Sequence, residues 1–565
     1  MAYNDSHDNL FFFFTFHRIH SLFMIRLIII VFSLIYTAEG FAQTEHWFYL
    51  RAKDSLFNPD IKRVGEYLVY EGEDKGLERV FNEHRISTFK KTFRGSTKDQ
   101  LKRTFFVISD NDDTGDAFLR WASDMFEFAE KISEADKKIF QPNDYGITST
   151  TGENLGLPLN LDYLDFLEAP RAWYYTTGNR ETIVGISDAE VDTINAEFKG
   201  KVKIIRKSPN VKGHGSGVAG IAAAQGDNAY GGTGICYDCG IYATSYGSYK
   251  TLDQLKELSD MGVKVINCSW VSSKYYDTAQ AVINEMFENG TIVVAGAGNR
   301  PFSENKGEWL YYPASYDNVI SVGTAMYKYT TPQDNYGVDK KGNYYASNIR
   351  GFIGRTMGFK NNDLSLTPTI YKVSTTTLND KIDILAPSVG VWKLPKFLTE
   401  NEIAYIQYEA TSPTAPFVTG TIGLMFSLNP CLPVDEVESI LKMTSWNIDH
   451  IKPNKPYLGL YGSGMLNVGK AVEMVYKLYA EGETAYIQDQ KFKRWDFKIT
   501  SYAENVTIRN QEFTENATLN LRSKSSITVG PNTVLRPNSK GSVQLKIDPL
   551  LEKECDLVLR EGFPE

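Results

Sequence analysis

Cysteine is scarce in this sequence: only five occur among 565 residues, and the number is odd. So few cysteines exclude a disulfide-rich scaffold, in which bridges take the place of a hydrophobic core. Lys and Arg form no cluster and the formal net charge is −9, so we expect no nucleic-acid partner. The chain is longer than one ordinary domain, and we expect roughly two to four.

A long hydrophobic run is also missing near the N-terminus. The apolar stretch from Leu27 to Tyr36 is too short for a confident membrane span. Arg26 supplies a positive charge before it, and small residues lead to Ala42 after it. This pattern predicts a secretory signal over residues 1–42, with Met24 as an alternative start and a cut after Ala42. We therefore expect a secreted or cell-envelope protein, periplasmic or extracellular; a retained N-terminal anchor is the alternative.

The segment from Arg63 to Ile132 predicts a strand, a helix, two strands and a second helix, which is typical of a small ferredoxin-like unit. The second helix is predicted from Phe118 to Ile132, where apolar residues recur at helical spacing. A polar linker follows at Glu134 to Asn160 and is the most exposed place to cut the chain. We place this α+β domain and its linker at residues 45–150.

Beyond Leu161 the pattern changes to alternating strands and helices. This alternation predicts right-handed βαβ crossovers and a mostly parallel sheet with helices on both faces. We place this domain at residues 155–480, with a surface insertion of unassigned role at 325–380. Residues 490–565 predict a small all-β domain of short strands and turns. For that domain a passive stabilising or spacing role is favoured over attachment or carbohydrate binding.

Ser412 stands just before a strongly apolar segment, in Ala-Thr-Ser-Pro-Thr-Ala-Pro. The pattern predicts a buried helix with Pro413 at its first position, where a missing N–H costs nothing. Backbone N–H groups and the positive end of the helix dipole would then converge on the Ser412 hydroxyl. Such a serine is either a nucleophile beside an anion-binding site or a plain helix cap.

Three other residues bear on that choice. Asp188 ends a predicted buried strand, and His214 begins a helix of small residues. Asn299 directly follows another buried strand. A carboxylate can orient a histidine, and an amide can donate to an oxyanion, but each residue also has an ordinary structural explanation as a turn or core residue.

Taken together, the segments around these four residues resemble the subtilisin-like serine peptidases, the subtilases. The motifs are Ile-Ser-Asp-Ala-Glu-Val-Asp at Asp188, His-Gly-Ser-Gly-Val-Ala-Gly at His214, Ala-Gly-Ala-Gly-Asn at Asn299, and the Ser412 motif above. The order Asp, His, Ser is retained, and the resemblance spans about residues 161–479. It implies a subtilisin-like three-layer α/β fold with a mostly parallel sheet. The α+β domain that precedes it then resembles a propeptide.

The resemblance also implies roles. Ser412 would attack a peptide carbonyl, His214 would take its proton, and Asp188 would hold the imidazole. Asn299 and the Ser412 backbone N–H would bind the oxyanion. Four residues are expected to line an extended substrate: Ser269, Trp270, Ala295 and Gly296.

The function implied is that of a secreted serine endopeptidase that acts on polypeptides through an acyl-enzyme and is made as a zymogen, with its own propeptide as an intramolecular inhibitor. We expect a monomer, no metal and no cofactor in catalysis; structural calcium is common in the family, but no acidic loop here is distinctive enough to assign it. One alternative is an impaired subtilase-fold binding protein. Another is an esterase or transferase that uses the same triad.

Four departures from the family pattern are found. Gly217 stands where the family usually has a second histidine, and Asn195-Ala196-Glu197-Phe198 replaces a His-Pro-Asp-Leu pattern. Glu190 replaces a usual glycine after the aspartate, and Ala410 replaces the usual glycine before Thr-Ser. Glu190 could crowd the cleft or change its pH behaviour.

The cysteines leave several arrangements open. Cys236 and Cys239 could form a small-loop disulfide, since a zinc site would need two more ligands. Cys431 and Cys555 could pair. Cys268 is expected to be a small apolar filler in a buried strand.

Overall fold

A computed structural model describes residues 45–65, 67–92, 99–132, 137–142, 144–145, 161–209, 213–302, 309–393, 406–407 and 410–563. The predicted signal sequence and most of the predicted linker lie outside these residues. The chain divides after Lys137 into two compact units. Within the described ranges, no helix has both the length and the apolar character needed to cross a bilayer.

The described part of the first unit forms an antiparallel sheet with two main helices. Its strands are β1 (His46–Ala52), β2 (Ile61–Val64), β3 (Tyr67–Tyr70), β4 (Ile86–Lys91), β5 (Thr104–Ser109) and β6 (Phe126–Lys131). Its helices are α1 (Lys75–Glu83), α2 (Asp99–Lys102) and α3 (Thr114–Trp121). The four-stranded sheet has the order β4-β5-β1-β6, and α1 and α3 share one apolar core with it. The strand order is that of a ferredoxin-like unit, but β1 and β6 are not among the predicted strands.

The helix predicted from Phe118 to Ile132 is wrong beyond Trp121. The chain turns there and returns as β6, which pairs antiparallel with β1. Phe126 packs against the rings of Phe118 and Phe57 at centroid distances of 5.1 and 5.2 Å. The apolar residues at helical spacing therefore belong to two elements, because pairing with a distant strand outweighs local periodicity. The predicted strand Tyr67–Tyr70 exists, but it pairs with β2 outside the main sheet.

The second unit contains a large parallel sheet and the helices that cover it. Its described strands up to the last helix are β7 (Ile183–Ser187), β8 (Val202–Ile204), β9 (Gly240–Thr244), β10 (Val265–Cys268), β11 (Ile292–Gly296), β12 (Val319–Ala325), β13 (Tyr336–Val338), β14 (Tyr344–Ala346), β15 (Ile384–Pro387), β16 (Trp392–Lys393) and β17 (Ile406–Gln407). Its described α-helices are α4 (Asp162–Phe166), α5 (Ala169–Tyr175), α6 (His214–Ala223), α7 (Asp253–Asp260), α8 (Asp277–Glu288), α9 (Thr414–Leu428), α10 (Val434–Thr444) and α11 (Val468–Tyr479).

The seven-stranded sheet has the order β15-β12-β11-β10-β7-β9-β8, and all neighbouring strands in it are parallel. Helices α7 and α8 bury Leu255 and Ile283 in one apolar core. Helices α6 and α9 bury Val218 and Ile422 in the other. The predicted α/β sheet covered on both faces is thus confirmed. The insertion at 325–380 carries the β13-β14 hairpin, and its role remains unassigned.

The strand-rich C-terminal region is a coil of parallel strands. The strands are β18 (Thr484–Gln488), β19 (Lys491–Phe492), β20 (Asp496–Ser501), β21 (Asn505–Arg509), β22 (Glu512–Glu515), β23 (Thr518–Ser523), β24 (Ser526–Val529), β25 (Val534–Pro537) and β26 (Ser542–Ile547). They form three parallel sheets, β18-β21-β24, β19-β22-β25 and β20-β23-β26. The chain therefore winds through three coils of a β-solenoid.

A repeat of apolar residues in the sequence indicates this solenoid, although local strand prediction does not use it. Phe492 and Phe513 are stacked in register, as are Phe497 and Leu519. Apolar residues thus recur once per coil, and a search for internal repeats at this spacing would find them.

The solenoid is part of the second unit and packs directly against its α/β region. The Lys498 N–H donates to Ser439 Oγ of α10 at 3.0 Å, and the two regions share one apolar core. The end of the chain then returns across the unit, where the Val558 N–H donates to the carbonyl of Leu428 at 2.8 Å. The disulfide Cys431–Cys555 fixes this return, and Cys236–Cys239 forms the second bridge. The pairings that the sequence left open are thus both formed, and Cys268 is free and buried.

Glu436 of α10 is fully buried beside the first coil. It accepts a hydrogen bond from the Tyr479 hydroxyl at 3.2 Å. Burial raises the pKa of Glu436 from 4.5 to about 7. Because the pKa is raised in the folded state, the folded state is favoured while Glu436 is neutral. This contribution to the free energy of unfolding is fully present below about pH 4.5 and is lost as the pH rises through about 7.

We expect Glu436→Gln to raise the free energy of unfolding at about pH 8 by about 2–3 kcal/mol, because a difference of one unit in pKa is worth about 1.4 kcal/mol. Near pH 4.5, where Glu436 is neutral, the substitution should change little. Denaturant unfolding curves of proteins that also carry Ser412→Ala measure the free energy of unfolding at both pH values. Substitution of the exposed Glu481 by Gln is the control. An equal effect at both pH values would contradict a buried, titrating Glu436.

Candidate functional site

The residues singled out by the sequence converge at one edge of the parallel sheet. Asp188 follows β7 and Asn299 lies three residues beyond β11. Strand β10 lies between these strands, and its Cys268 is in register with Ser187 on one side and Ala295 on the other. The carboxyl ends of the three strands therefore bring Asp188, Ser269 and Asn299 to the same edge.

Asp188 and His214 are in direct contact. The distance from His214 Nδ1 to Asp188 Oδ1 is 2.6 Å; the carboxylate is fully buried, and the imidazole is 29% exposed. Gly213 has φ +73°, a conformation that favours glycine, and it turns the chain into α6. A Cβ at Gly215 would lie 2.0 Å from the Ala189 carbonyl oxygen, so glycine allows α6 to begin against the loop after Asp188. A carboxylate accepts, so Nδ1 carries the proton and Nε2 is the basic nitrogen.

Ser412 lies in the turn that leads into α9. The Thr414 N–H donates to the carbonyl of Thr411 at 3.1 Å, and α9 begins at Thr414 with Pro413 as its N-cap. Pro413 is therefore one position earlier in the helix than predicted. Ser269 Oγ donates to the Ser412 carbonyl at 2.9 Å, which ties this turn to the end of β10. Ser412 is 9% exposed.

Helices α6 and α9 pack side by side, with their N-termini at the same end. A Cβ at Gly420, six residues into α9, would lie 2.6 Å from the carbonyl oxygen of Ala222, eight residues into α6. The close approach of two helices requires a glycine there. It brings the helix that carries His214 alongside the helix that Ser412 precedes.

Asn299 is oriented by Thr411. Its Oδ1 accepts hydrogen bonds from the Thr411 N–H and from Thr411 Oγ1, both at 2.8 Å. These two bonds fix the orientation of the amide and leave Nδ2 as its remaining hydrogen-bond donor. Among the described residues neither Asn299 Nδ2 nor the Ser412 N–H has an acceptor. Two donors beside the serine can together bind an oxyanion.

The four residues predicted to line a substrate occupy different depths. Ser269 is half-buried and holds the Ser412 turn. The Trp270 indole is 8% exposed and donates to Ser187 Oγ at 3.1 Å. Ala295 is buried within β11 and is paired on both sides, by β10 and β12. A Cβ at Gly296 would lie 3.1 Å from the Thr411 carbonyl oxygen. The substrate-binding roles stay predictions, while these contacts support the Thr411–Ser412 turn and the sheet edge.

The departures at Glu190 and Ala410 leave this geometry intact. Ala410 has no positive φ, so its backbone does not require glycine, and its carbonyl accepts from Ser388 Oγ at 2.6 Å. Glu190 is half-buried, and its carboxylate has no hydrogen bond or ion pair with any residue that the structure describes.

Tyr246 is a residue of the site that the sequence reading missed. Its hydroxyl donates to Asp188 Oδ1 at 3.2 Å. Burial first, and then the nearby Asp188 charge, raises the pKa of the Tyr246 phenol. The sequence could have indicated Tyr246 by its position shortly after β9. This strand is paired with β7, so a side chain that follows it reaches the same sheet edge.

A metal site does not emerge from the described residues. Within them, no group of three or more His, Cys, Asp or Glu side chains converges on one point. We therefore assign no calcium ligands in this part of the chain.

Comparison with known proteins gives consistent results. The subtilase family model matches residues 179–486. A cell wall-associated protease of Bacillus subtilis is 29% identical over 285 residues, which cover 47% of this chain and 26% of that protein. Subtilisin DY of Bacillus licheniformis is 25% identical over 302 residues, which cover 51% of this chain and 90% of that protein. Two further relatives are named calcium-dependent proteases.

Among solved structures, fervidolysin from Fervidobacterium pennivorans is 18% identical, with a TM-score of 0.40. The match covers 76% of this chain and 61% of that one. The chain thus spans most of subtilisin DY but only about a quarter of the cell wall-associated protease.

The Thr411 contact can be tested with Thr411→Val. The variant keeps the shape and the backbone N–H but removes one of the two donors that orient Asn299. We expect the rate at which a peptide ester acylates Ser412 to fall about tenfold, since an oxyanion donor that is lost outright costs about a hundredfold or more. Burst kinetics measure this rate. The control is Thr421→Val in α9, which removes a hydroxyl whose one hydrogen bond to a described residue is to the Phe417 carbonyl. Equal rates in both variants would contradict the assigned role.

Proposed function

The chain belongs to the subtilase family, and from that premise we propose that it is a secreted serine endopeptidase, made as a zymogen, that cleaves polypeptides through Asp188, His214 and Ser412. By family it is a serine-type endopeptidase, a hydrolase. The observation that carries the proposal is the contact of 2.6 Å between His214 and the buried Asp188, at the same sheet edge as the turn that holds Ser412.

Acylation begins when His214 Nε2 takes the Ser412 hydroxyl proton as Oγ attacks the peptide carbonyl. The positive charge that develops on the imidazole is stabilised by the Asp188 carboxylate. Because Asp188 accepts from Nδ1, it also holds the ring in the tautomer that leaves Nε2 basic. Burial of the carboxylate strengthens this interaction, since little water competes for it.

The tetrahedral intermediate carries its negative charge on the former carbonyl oxygen. Asn299 Nδ2 and the Ser412 N–H would donate to that oxygen. Thr411 orients Asn299 before the reaction, so little reorganisation is needed as the charge develops. His214 then gives its proton to the leaving amine, and water hydrolyses the acyl-enzyme by the same steps.

The first unit is proposed to act as a propeptide that inhibits the peptidase until the chain is cut. Residues 138–142, 144 and 145 group with the second unit. There Tyr145 is buried against Trp173, and Asp144 accepts from the Asn228 N–H and from Thr233 Oγ1 at 3.1 and 2.7 Å. Loss of this segment would remove buried contacts, so we place the processing cut ahead of Lys138.

Expression of the wild-type chain and of Ser412→Ala tests the proposal. We expect the wild type to shorten itself, to begin near Lys138 by N-terminal sequencing, and to hydrolyse casein. Ser412→Ala should remain uncut and inactive, because the nucleophile is absent. The exposed Ser273→Ala is the control and should behave as wild type. Normal processing of purified Ser412→Ala would refute self-cleavage, and casein hydrolysis by that variant would refute Ser412 as the nucleophile.

A further inference from the structure

Three hydrogen bonds meet on one oxygen of Asp188. Oδ1 accepts from the Ala189 N–H at 2.6 Å, from His214 Nδ1 at 2.6 Å and from the Tyr246 hydroxyl at 3.2 Å. The other carboxylate oxygen, Oδ2, is buried and has no partner among the described residues. Tyr246 therefore shares with His214 the same atom that the imidazole depends on.

Tyr246 is held rigidly from both sides along the backbone. Gln254 of α7 is fully buried; its Nε2 donates to the Tyr246 carbonyl at 2.6 Å, and its Oε1 accepts from the Ser248 N–H at 3.2 Å. A Cβ at Gly247 would lie 2.2 Å from Gln254. The preceding residue is fixed as well, because the Ser245 carbonyl accepts from Ser187 Oγ at 2.9 Å.

Trp270 completes this chain of contacts. Its indole N–H donates to Ser187 Oγ, and its ring lies 5.0 Å from that of Tyr249. Ser187 directly precedes Asp188 in the sequence. The contacts of Gln254 and Ser187 therefore hold the backbone on both sides of Tyr246, from which its hydroxyl reaches Asp188.

We propose that Tyr246 is a positioning residue of the active site, which orients the Asp188 carboxylate and moderates its pull on the His214 imidazole. This inference rests on the proposed function of the triad. A phenol that donates to Oδ1 draws off part of the charge that His214 would otherwise meet, and it prevents the carboxylate from rotating. Without it, Oδ1 would hold the protonated imidazole more tightly, and the carboxylate would be less well aligned.

The other titratable groups around Asp188 do not provide this contact. On β10, burial and the Asp188 charge raise the pKa of the Cys268 thiol, which keeps it neutral. Glu190, two residues beyond Asp188, makes no side-chain hydrogen bond to a described residue. His214 on α6 and Tyr246 after β9 are thus the side chains that hydrogen-bond to Asp188 in the described part of the chain.

The test is Tyr246→Phe, which removes only the hydroxyl. We expect kcat on a peptide substrate to fall about fivefold to tenfold, as the loss of one hydrogen bond predicts, with KM within about twofold. The acid limb of the kcat/KM profile should move to higher pH by about half a unit, because the protonated imidazole is favoured. Tyr242→Phe on β9 is the matched control, since no hydrogen bond of its hydroxyl to a described residue is found.

A second measurement does not depend on turnover. In the Ser412→Ala chain, the proton between His214 and Asp188 should give a low-field NMR resonance, and adding Tyr246→Phe should shift it while Tyr242→Phe does not. A merely structural tyrosine would lower the melting temperature and leave both the resonance and the pH profile unchanged, which would overturn the proposal. If wild-type protein fails to hydrolyse peptides while the resonance still shifts, the proposed function fails and the positioning role stands.

Discussion

A fully buried carboxylate, Asp188, is the constraint on which the rest of the site depends. A buried charge is tolerated only when it is paired and hydrogen-bonded. Here the partners come from three separate elements: the loop after β7, the start of α6 and the loop after β9. The fold must therefore bring these elements together to satisfy the carboxylate. The same convergence places an imidazole at the sheet edge with its Nδ1 already engaged.

The second half of the site is organised by α9. Every residue of this helix is buried, so its start cannot shift without disturbing the core on one face of the sheet. Thr411 and Ser269 hold the turn that precedes it, one through Asn299 and the other through the Ser412 carbonyl. At the other end, the returning C-terminal segment contacts Leu428. The disulfide Cys431–Cys555 and this hydrogen bond thus tie the segment that follows the solenoid to the C-terminal end of α9.

The parallel sheet and the convergence of its strand ends could be predicted from sequence, because buried strands and covering helices leave strong local patterns. The order of Asp188, His214 and Ser412, together with their short motifs, predicts which residues form the candidate site. What local patterns could not show were contacts decided at long range. Phe126 has helical spacing with Phe118 yet lies in a strand, because β1 offers a free edge. The individual strands of the solenoid could be predicted from local sequence. Their coiled arrangement could not, because it is defined by pairing between residues about twenty positions apart. Tyr246 belongs to no motif and reaches Asp188 only through the pairing of β9 with β7.

Reaction with a fluorophosphonate, followed by peptide mapping, tests the central claim most directly, because the probe needs an activated serine and not any particular substrate. The account predicts that processed wild-type protein gains one adduct, on Ser412, and that Asp188→Asn sharply slows its formation. Processed protein that remains unlabelled, or that carries the adduct on another serine, would contradict the account.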